Sequence, residues 1–277
     1  MPTPRFDLIP GTQTCGVLES RYGFMIYPRN DGVVSRALGL YGEWSQGEVD
    51  LFAQYVRPGD TVIEVGSHIG CHTLPLAQMV GCSGRVLAFE AQEFLFHILK
   101  SNLILNRLPQ ATAYLAAVSD SAGEISVPLF DYTKAQNYGA LSLRHPEHFD
   151  CEPVSTAMRQ TVTLDSFDVD SCRLLKVDAE AMEPEVLRGA ADLIRRHRPV
   201  LYVENDRPEN FDTLHQLLSG FGYEAWWHRV PVFNPNNFAK LSTDFVNPEG
   251  RLLISANLVA LHKTADDLRP TKLERFV

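Results

Sequence analysis

The stretch TVIEVGSHIGCHT, Thr61 to Thr73, decides the fold. It opens as an apolar strand, TVIEV, that carries one acid, Glu64, near its carboxyl end. Two glycines, Gly66 and Gly70, follow, and then an apolar run over 71–80 whose length suits a helix. Strand, glycine turn and helix in this order make the first unit of a Rossmann-like α/β domain, where glycines let the backbone pass close to a ligand at the strand's carboxyl edge. The spacing is GxxxG after an acid, not the GxGxxG that seats a dinucleotide pyrophosphate.

Upstream, EVDLFAQYV places Val49, Leu51, Phe52, Tyr55 and Val56 at near-helical spacing, and Arg57-Pro-Gly-Asp60 stops that helix. Downstream, strands and helices alternate. RVLAFE reads as a strand, FLFHILKSNLILN as a helix and ATAYLAAVS as a strand. CRLLKVD and PVLYVE are further strands, each followed by a helix: PEVLRGAADLIRRH, begun by Pro184, and ENFDTLHQLLSGFG, ended by glycine. Short apolar strands alternating with helices predict a doubly wound, mostly parallel sheet covered on both faces. YEAWWHRV and LLISANLVALH close it as two antiparallel strands, with Trp226 and Trp227 on opposite faces. Residues 1–43, with the apolar piece GFMIY, form an N-terminal antiparallel cap, and 44–277 form the Rossmann-like domain. The weakly periodic segment at about 119–160, with prolines at 128, 146 and 153, reads as a functional lid or small β insertion.

A chain of 277 residues, 45% hydrophobic and 21% charged, can bury a full core. Its formal charge of -9 argues against a nucleic-acid partner, since the one basic cluster, Arg195 to Arg198, sits where cations complement a helix C-terminus. Five cysteines without a CxxC pair suggest free thiols rather than a disulfide framework or zinc knuckle. No apolar run reaches membrane-spanning length, and MPTPRFDLIPGTQ has no apolar signal core. The expectation is a cytoplasmic protein with a small-molecule partner and no membrane, with homo-oligomerisation left open.

Several strand ends offer chemistry. Glu90 follows four apolar residues about 20 positions after Gly70, where a Rossmann acid accepts from ribose hydroxyls. LLKV runs into Asp178 and Glu180, with Lys176 just before them, and VLYVE ends in Glu204-Asn205-Asp206. Asp178, Glu204 and Asn205 form a hard oxygen set that suits magnesium or calcium better than zinc; alternatively these groups cap helix N-termini. His68 and His72 lie four apart, but no HExxH glutamate separates them, so they are expected to line the glycine turn or pack under it. GxSxG and GxxxxGK[ST] motifs are absent.

These stretches together, PGDTVIEVGSHIGCHT, RVLAFEAQEFLFHILKSNLILN, VTLDSFDVDSCRLLKVDAEAMEPEVLRGA and RPVLYVE, resemble the FkbM-type methyltransferases. YGEWSQGEVDLF and Asn137 to Ser142 fit the same likeness. The resemblance implies the seven-stranded class I fold and S-adenosylmethionine as cofactor. It further implies that Glu64, Gly66, Ser67 and Gly70 surround the methionine part, Glu90 binds the ribose, Ala91 borders the adenine and Asp178 lies at the methyl-transfer point, with Thr73 also among the cofactor-binding residues. The chain has Glu64 and His68 where the family usually has aspartate and asparagine, and Ala179-Glu180-Ala181 for valine-glutamate-glycine. Acceptor orientation or proton acceptance then falls to Asp178, Glu180 or Glu204, with His145 and His148 as alternative bases. The expected reaction is O-methylation of a hydroxyl on a sugar or secondary metabolite. The alternatives are N-methylation of a small amine or peptide, and a module that binds the nucleoside cofactor without turnover.

Overall fold

The computed structural model describes residues 13–144, 153–246, 252–265, 270 and 273–276. Its central strand is β3 (Thr61–Val65), all five residues of which are buried. On one side it pairs in parallel with β4 (Arg85–Glu90), which pairs with β5 (Ala111–Leu115). On the other it pairs in parallel with β9 (Leu174–Val177), which pairs with β10 (Val200–Glu204). Then come antiparallel β12 (Ile254–His262), β11 (Tyr223–Pro231) and the short β13 (Glu274–Phe276). The chain therefore leaves β3 in both directions, which opens a crevice at the carboxyl edge between β3 and β9.

Strand alternation sends Val62 to one face and Ile63 and Val65 to the other. The first face packs α2 (Gln46–Tyr55), α3 (Thr73–Val80) and α4 (Glu93–Leu105). The second packs α5 (Glu183–Arg188), α6 (Ala191–His197) and α7 (Phe211–Gly220).

The N-terminal hairpin, β1 (Cys15–Ser20) with β2 (Gly23–Pro28), and α1 (Val34–Tyr41) join the first core through Leu18, Met25, Tyr27 and Leu38. One edge of β2 is satisfied by side chains. Asn102 accepts from Ile26 N at 2.7 Å and donates to Ile26 O at 3.0 Å, and one turn later on α4 Asn106 does the same for Phe24 at 2.9 and 2.6 Å. Two amides at i and i+4 thus stand in for a neighbouring strand.

Three expectations change in detail. The sheet has eight strands rather than seven, because Glu274–Phe276 pairs with the edge residues Ala225 to Trp227. ATAYLAAVS breaks at Ala116, and β6 (Ala117–Val118) leaves for a second sheet with β7 (Gly123–Leu129) and β8 (Ser155–Val162). The helix expected from Pro184 splits at Gly189, where an added Cβ would lie 2.0 Å from Ser119 O; that backbone contact needs glycine. Among the described residues the insertion thus contributes the antiparallel pair β7–β8 and a segment, around Asn137 to Leu143, that reaches the crevice. His145 and His148 fall outside the described residues. No described helix is long and apolar enough to cross a membrane.

Candidate active site

The carboxyl ends of the strands line one cleft. In sheet order it runs from Ser255 on β12 through Glu204 on β10, Asp178 after β9 and Glu64 on β3 to Glu90 on β4 and Val118 beyond β5. Glu90 and Glu204 stand three strands apart, about 14 Å. Over these ends sit Val33, Trp44 and Glu48 from the N-terminal part and Asn137 to Leu143 from the insertion loop.

The glycine turn is fixed by backbone geometry. Gly66 and Gly70 have φ of 76° and 93°, the left-handed region that favours glycine. A Cβ at Gly66 would lie 1.7 Å from Asp178 O, so turn and β9 end touch directly. Glu90 accepts from His68 N and Gln92 N, both at 2.8 Å, which fixes both carboxyl oxygens. Burial pushes this carboxyl up, while the amide of Gln92 and the neighbouring His68 oppose it. Ser67 and Ala91 line the cleft, whereas Gly70 and Thr73 do not. Thr73 works from below: its hydroxyl donates to Glu64 Oε2 at 2.5 Å. Glu64, 1% exposed, is pushed up to about 7 by burial, against Lys176 at 4.0 Å.

The acid end is built on β9 and β10. Lys176, buried on β9, stays charged because Asp178 lies at 3.0 Å and Glu64 further off at 4.0 Å. Burial disfavours ionised Asp178, but the Lys176 ammonium wins and holds it below the usual carboxylate range. Glu180 accepts from Arg207 at 2.6 Å, yet burial and then Asp178 push it up to about 8. Glu204 is pushed well up by burial, then by Asp178 and Glu180, and its Oε2 is buried without a hydrogen-bond partner. Carboxyl oxygens of Asp178, Glu180 and Glu204 lie within 4.8 Å of one another. The metal set expected from sequence changes here. Asn205 does not line the cleft, because β10 alternates and Glu204 takes the inward face; Glu180 joins Asp178 and Glu204 instead.

Ala181 takes φ 82°, in the left-handed region that favours glycine, and Glu180 before it takes φ 50°. Glu183 clamps this strained loop: its Oε1 accepts from Ala179 N at 2.9 Å and Ala181 N at 3.2 Å, and Asn210 donates to Oε2 at 3.2 Å. Glu183 was not singled out by sequence; its position immediately before PEVLRGA, at the start of the helix, was the available signal. Trp44 and Glu48 were missed as well. Ser45-x-x-Glu48 has capping-box spacing, but the Ser45 hydroxyl donates to Glu48 Oε1 at 2.6 Å instead of capping the helix. His68 and His72 line the cleft, as expected of residues beside the turn. His72 is 5% exposed and burial lowers it to about 4, so it is neutral. Its Nε2 has no hydrogen-bond partner and lies 3.9 Å from Glu48 Oε2.

Residues 64–225, more than half of the chain, match the model of the methyltransferase FkbM domain. No curated protein matches the chain. Among solved structures, the chain is similar to a methyltransferase FkbM from Methylobacillus flagellatus KT at 13% identity, over 77% of this chain and 50% of that one, with a TM-score of 0.44. It is also similar to a SAM-dependent O-methyltransferase from Thermotoga maritima, at 16% identity over 89% and 77% with a TM-score of 0.46. A third is a candidate rRNA methylase from Clostridium thermocellum, at 16% over 84% and 96% with a TM-score of 0.42. Likeness at this level assigns neither acceptor nor mechanism.

Proposed function

The chain belongs to the FkbM methyltransferase family, an S-adenosylmethionine-dependent group, and from that premise we propose that its cleft transfers the methyl group of S-adenosylmethionine to a small molecule. The observation that carries this reading is the pairing of a preorganised Glu90 carboxylate on β4 with the Gly66–Asp178 contact at the crevice. Glu90 suits a ribose diol, and Ala91 with the apolar neighbours Phe89 and Val118 suits the flat adenine beside it. Gly66, Ser67 and Glu64 border the methionine part, while Gly70 and Thr73 shape the turn from behind.

The sulfonium methyl is already activated, so the protein's work is to align the acceptor in line with the S–CH3 bond and to take its proton. Asp178, held ionised by Lys176 and touching the turn, is the group best set at the transfer point. Hydroxyl and amine acceptors both fit this chemistry, since each supplies a lone pair and loses a proton. A divalent cation is no part of this reading: two of the three carboxylates that would hold it have their own cations, Lys176 at 3.0 Å and Arg207 at 2.6 Å. The formal charge of -9 and the acid-lined cleft favour a small acceptor over a polyanion. Incubation with S-adenosylmethionine and a metabolite extract, read by mass spectrometry, tests the reading. A product 14 mass units heavier together with S-adenosylhomocysteine supports it, and neither appearing with any extract contradicts it.

A further inference from the structure

The cleft has two chemically different ends. On the Glu90 side its lining is largely apolar, with Phe89, Ala116, Ala117 and Val118. Three strands away, Asp178, Glu180 and Glu204 converge within 4.8 Å. Charge matching separates these three. Asp178 has Lys176 at 3.0 Å and Glu180 has Arg207 at 2.6 Å, but among the described residues no cation forms an ion pair with Glu204, which feels Arg207 only from farther off and whose Oε2 is buried without a hydrogen-bond partner. Burial and then its acidic neighbours push this carboxyl well up, so on its own it holds a proton, and the three crowded carboxyls favour an incoming positive charge that takes the proton's place.

A second buried polar atom without a partner lines the same cleft. His72, 5% exposed and neutral, has an Nε2 with no partner, and Glu48 behind it is 3 % exposed. An ammonium brings several N–H donors and one positive charge to this end of the cleft; a hydroxyl brings one donor and no charge. Val33, Val34 and Trp44 line the same cleft and offer apolar surface for the body of such a ligand.

Resting on the methyltransferase reading, we infer that the acceptor is a small primary or secondary amine with an apolar body, received at Glu204 and His72 as an ammonium ion. Binding of the ammonium ionises Glu204, whose proton leaves to solvent, and the ammonium then gives one proton to that carboxylate, which frees the nitrogen lone pair. The nitrogen then attacks the sulfonium methyl: the N–CH3 bond forms as the S–CH3 bond breaks, and its electron pair stays on sulfur as the thioether of S-adenosylhomocysteine. The product carries the positive charge that the sulfonium lost.

The test is calorimetric titration of protein saturated with S-adenosylhomocysteine, using benzylamine and cyclohexylamine against benzyl alcohol and cyclohexanol. The expected result is that at least one amine binds tenfold or more tightly than its alcohol, and that Glu204→Gln removes this preference while S-adenosylhomocysteine still binds within twofold. Alcohols binding as well as amines, or no amine binding to loaded protein, overturn the inference and leave the methyltransferase reading standing. A tenfold loss of S-adenosylhomocysteine binding in Glu204→Gln overturns it too, because Glu204 then serves the cofactor's own ammonium. Failure of S-adenosylhomocysteine to bind the unaltered protein sinks the methyltransferase reading itself. Where Glu204→Gln does not fold, the comparison of amines with alcohols in the unaltered protein decides.

Discussion

Gly66 and Asp178 touch through their backbones: a Cβ on Gly66 would stand 1.7 Å from the Asp178 carbonyl oxygen. The glycine turn after β3 and the acid after β9 are therefore one piece, and no side chain fits between them. Gly66→Ala must move the β9 end, and its φ of 76° adds left-handed strain. The expected effect is a loss of roughly 1–3 kcal/mol in stability and a weakening of S-adenosylmethionine binding beyond tenfold, read by denaturant titration and calorimetry. Unchanged binding would separate the turn from the site.

Ala181 sits in the opposite situation, an alanine in a conformation that favours glycine, at φ 82° and 1% exposed. Ala181→Gly is expected to raise stability by about 1 kcal/mol. A denaturant midpoint that stays put or falls would show that Glu183's clamp relieves the strain some other way.

Glu90→Ala removes the acceptor whose oxygens are held by His68 N and Gln92 N, both at 2.8 Å. Binding of S-adenosylhomocysteine should weaken by roughly 1–3 kcal/mol through lost charge-assisted hydrogen bonds. Equal affinity in the variant would take Glu90 out of the ribose site.

Much of this was readable in the chain, for physical reasons that differ from place to place. TVIEV, RVLAFE, LLKV and VLYVE announce buried parallel strands because both their faces meet helices, and a strand's last residues must then lie at the crevice. Glu64, Glu90, Asp178 and Glu204 followed from that rule alone. What did not follow were distant contacts. Glu48 and Trp44 reach the cleft only because α2 packs beside α3, and Gly189 breaks a helix only because Ser119 approaches it. The pairing of Asp178 with Lys176, two residues away, depends on Lys176 being buried, which periodicity does not reveal.

Burial raises Glu64 from 4.5 to about 7, so between those values the folded protein holds a proton that the unfolded chain has released. Stability from this group is full below pH 4.5 and is lost as pH rises through 7. Glu183, raised to about 7, and Glu180, raised to about 8, act in the same sense and outnumber the opposing groups, Asp178, held low by Lys176, and His72, lowered to about 4 by burial. Melting temperatures of cofactor-free protein should therefore decline from pH 5 to pH 8, and Glu64→Gln should flatten the decline. A rise across that range would mean that Lys176 keeps Glu64 ionised.

Turnover should continue undiminished with a strong chelator present, because Lys176 and Arg207 already occupy two of the three converging carboxylates. Loss of activity that magnesium or calcium restores would return those residues to a metal site.

The central claim is that this cleft holds S-adenosylmethionine, and calorimetric titration of the unaltered chain with S-adenosylmethionine and S-adenosylhomocysteine tests it most directly. The account predicts that both bind at one site per chain and compete with each other. Absence of binding by either would contradict it.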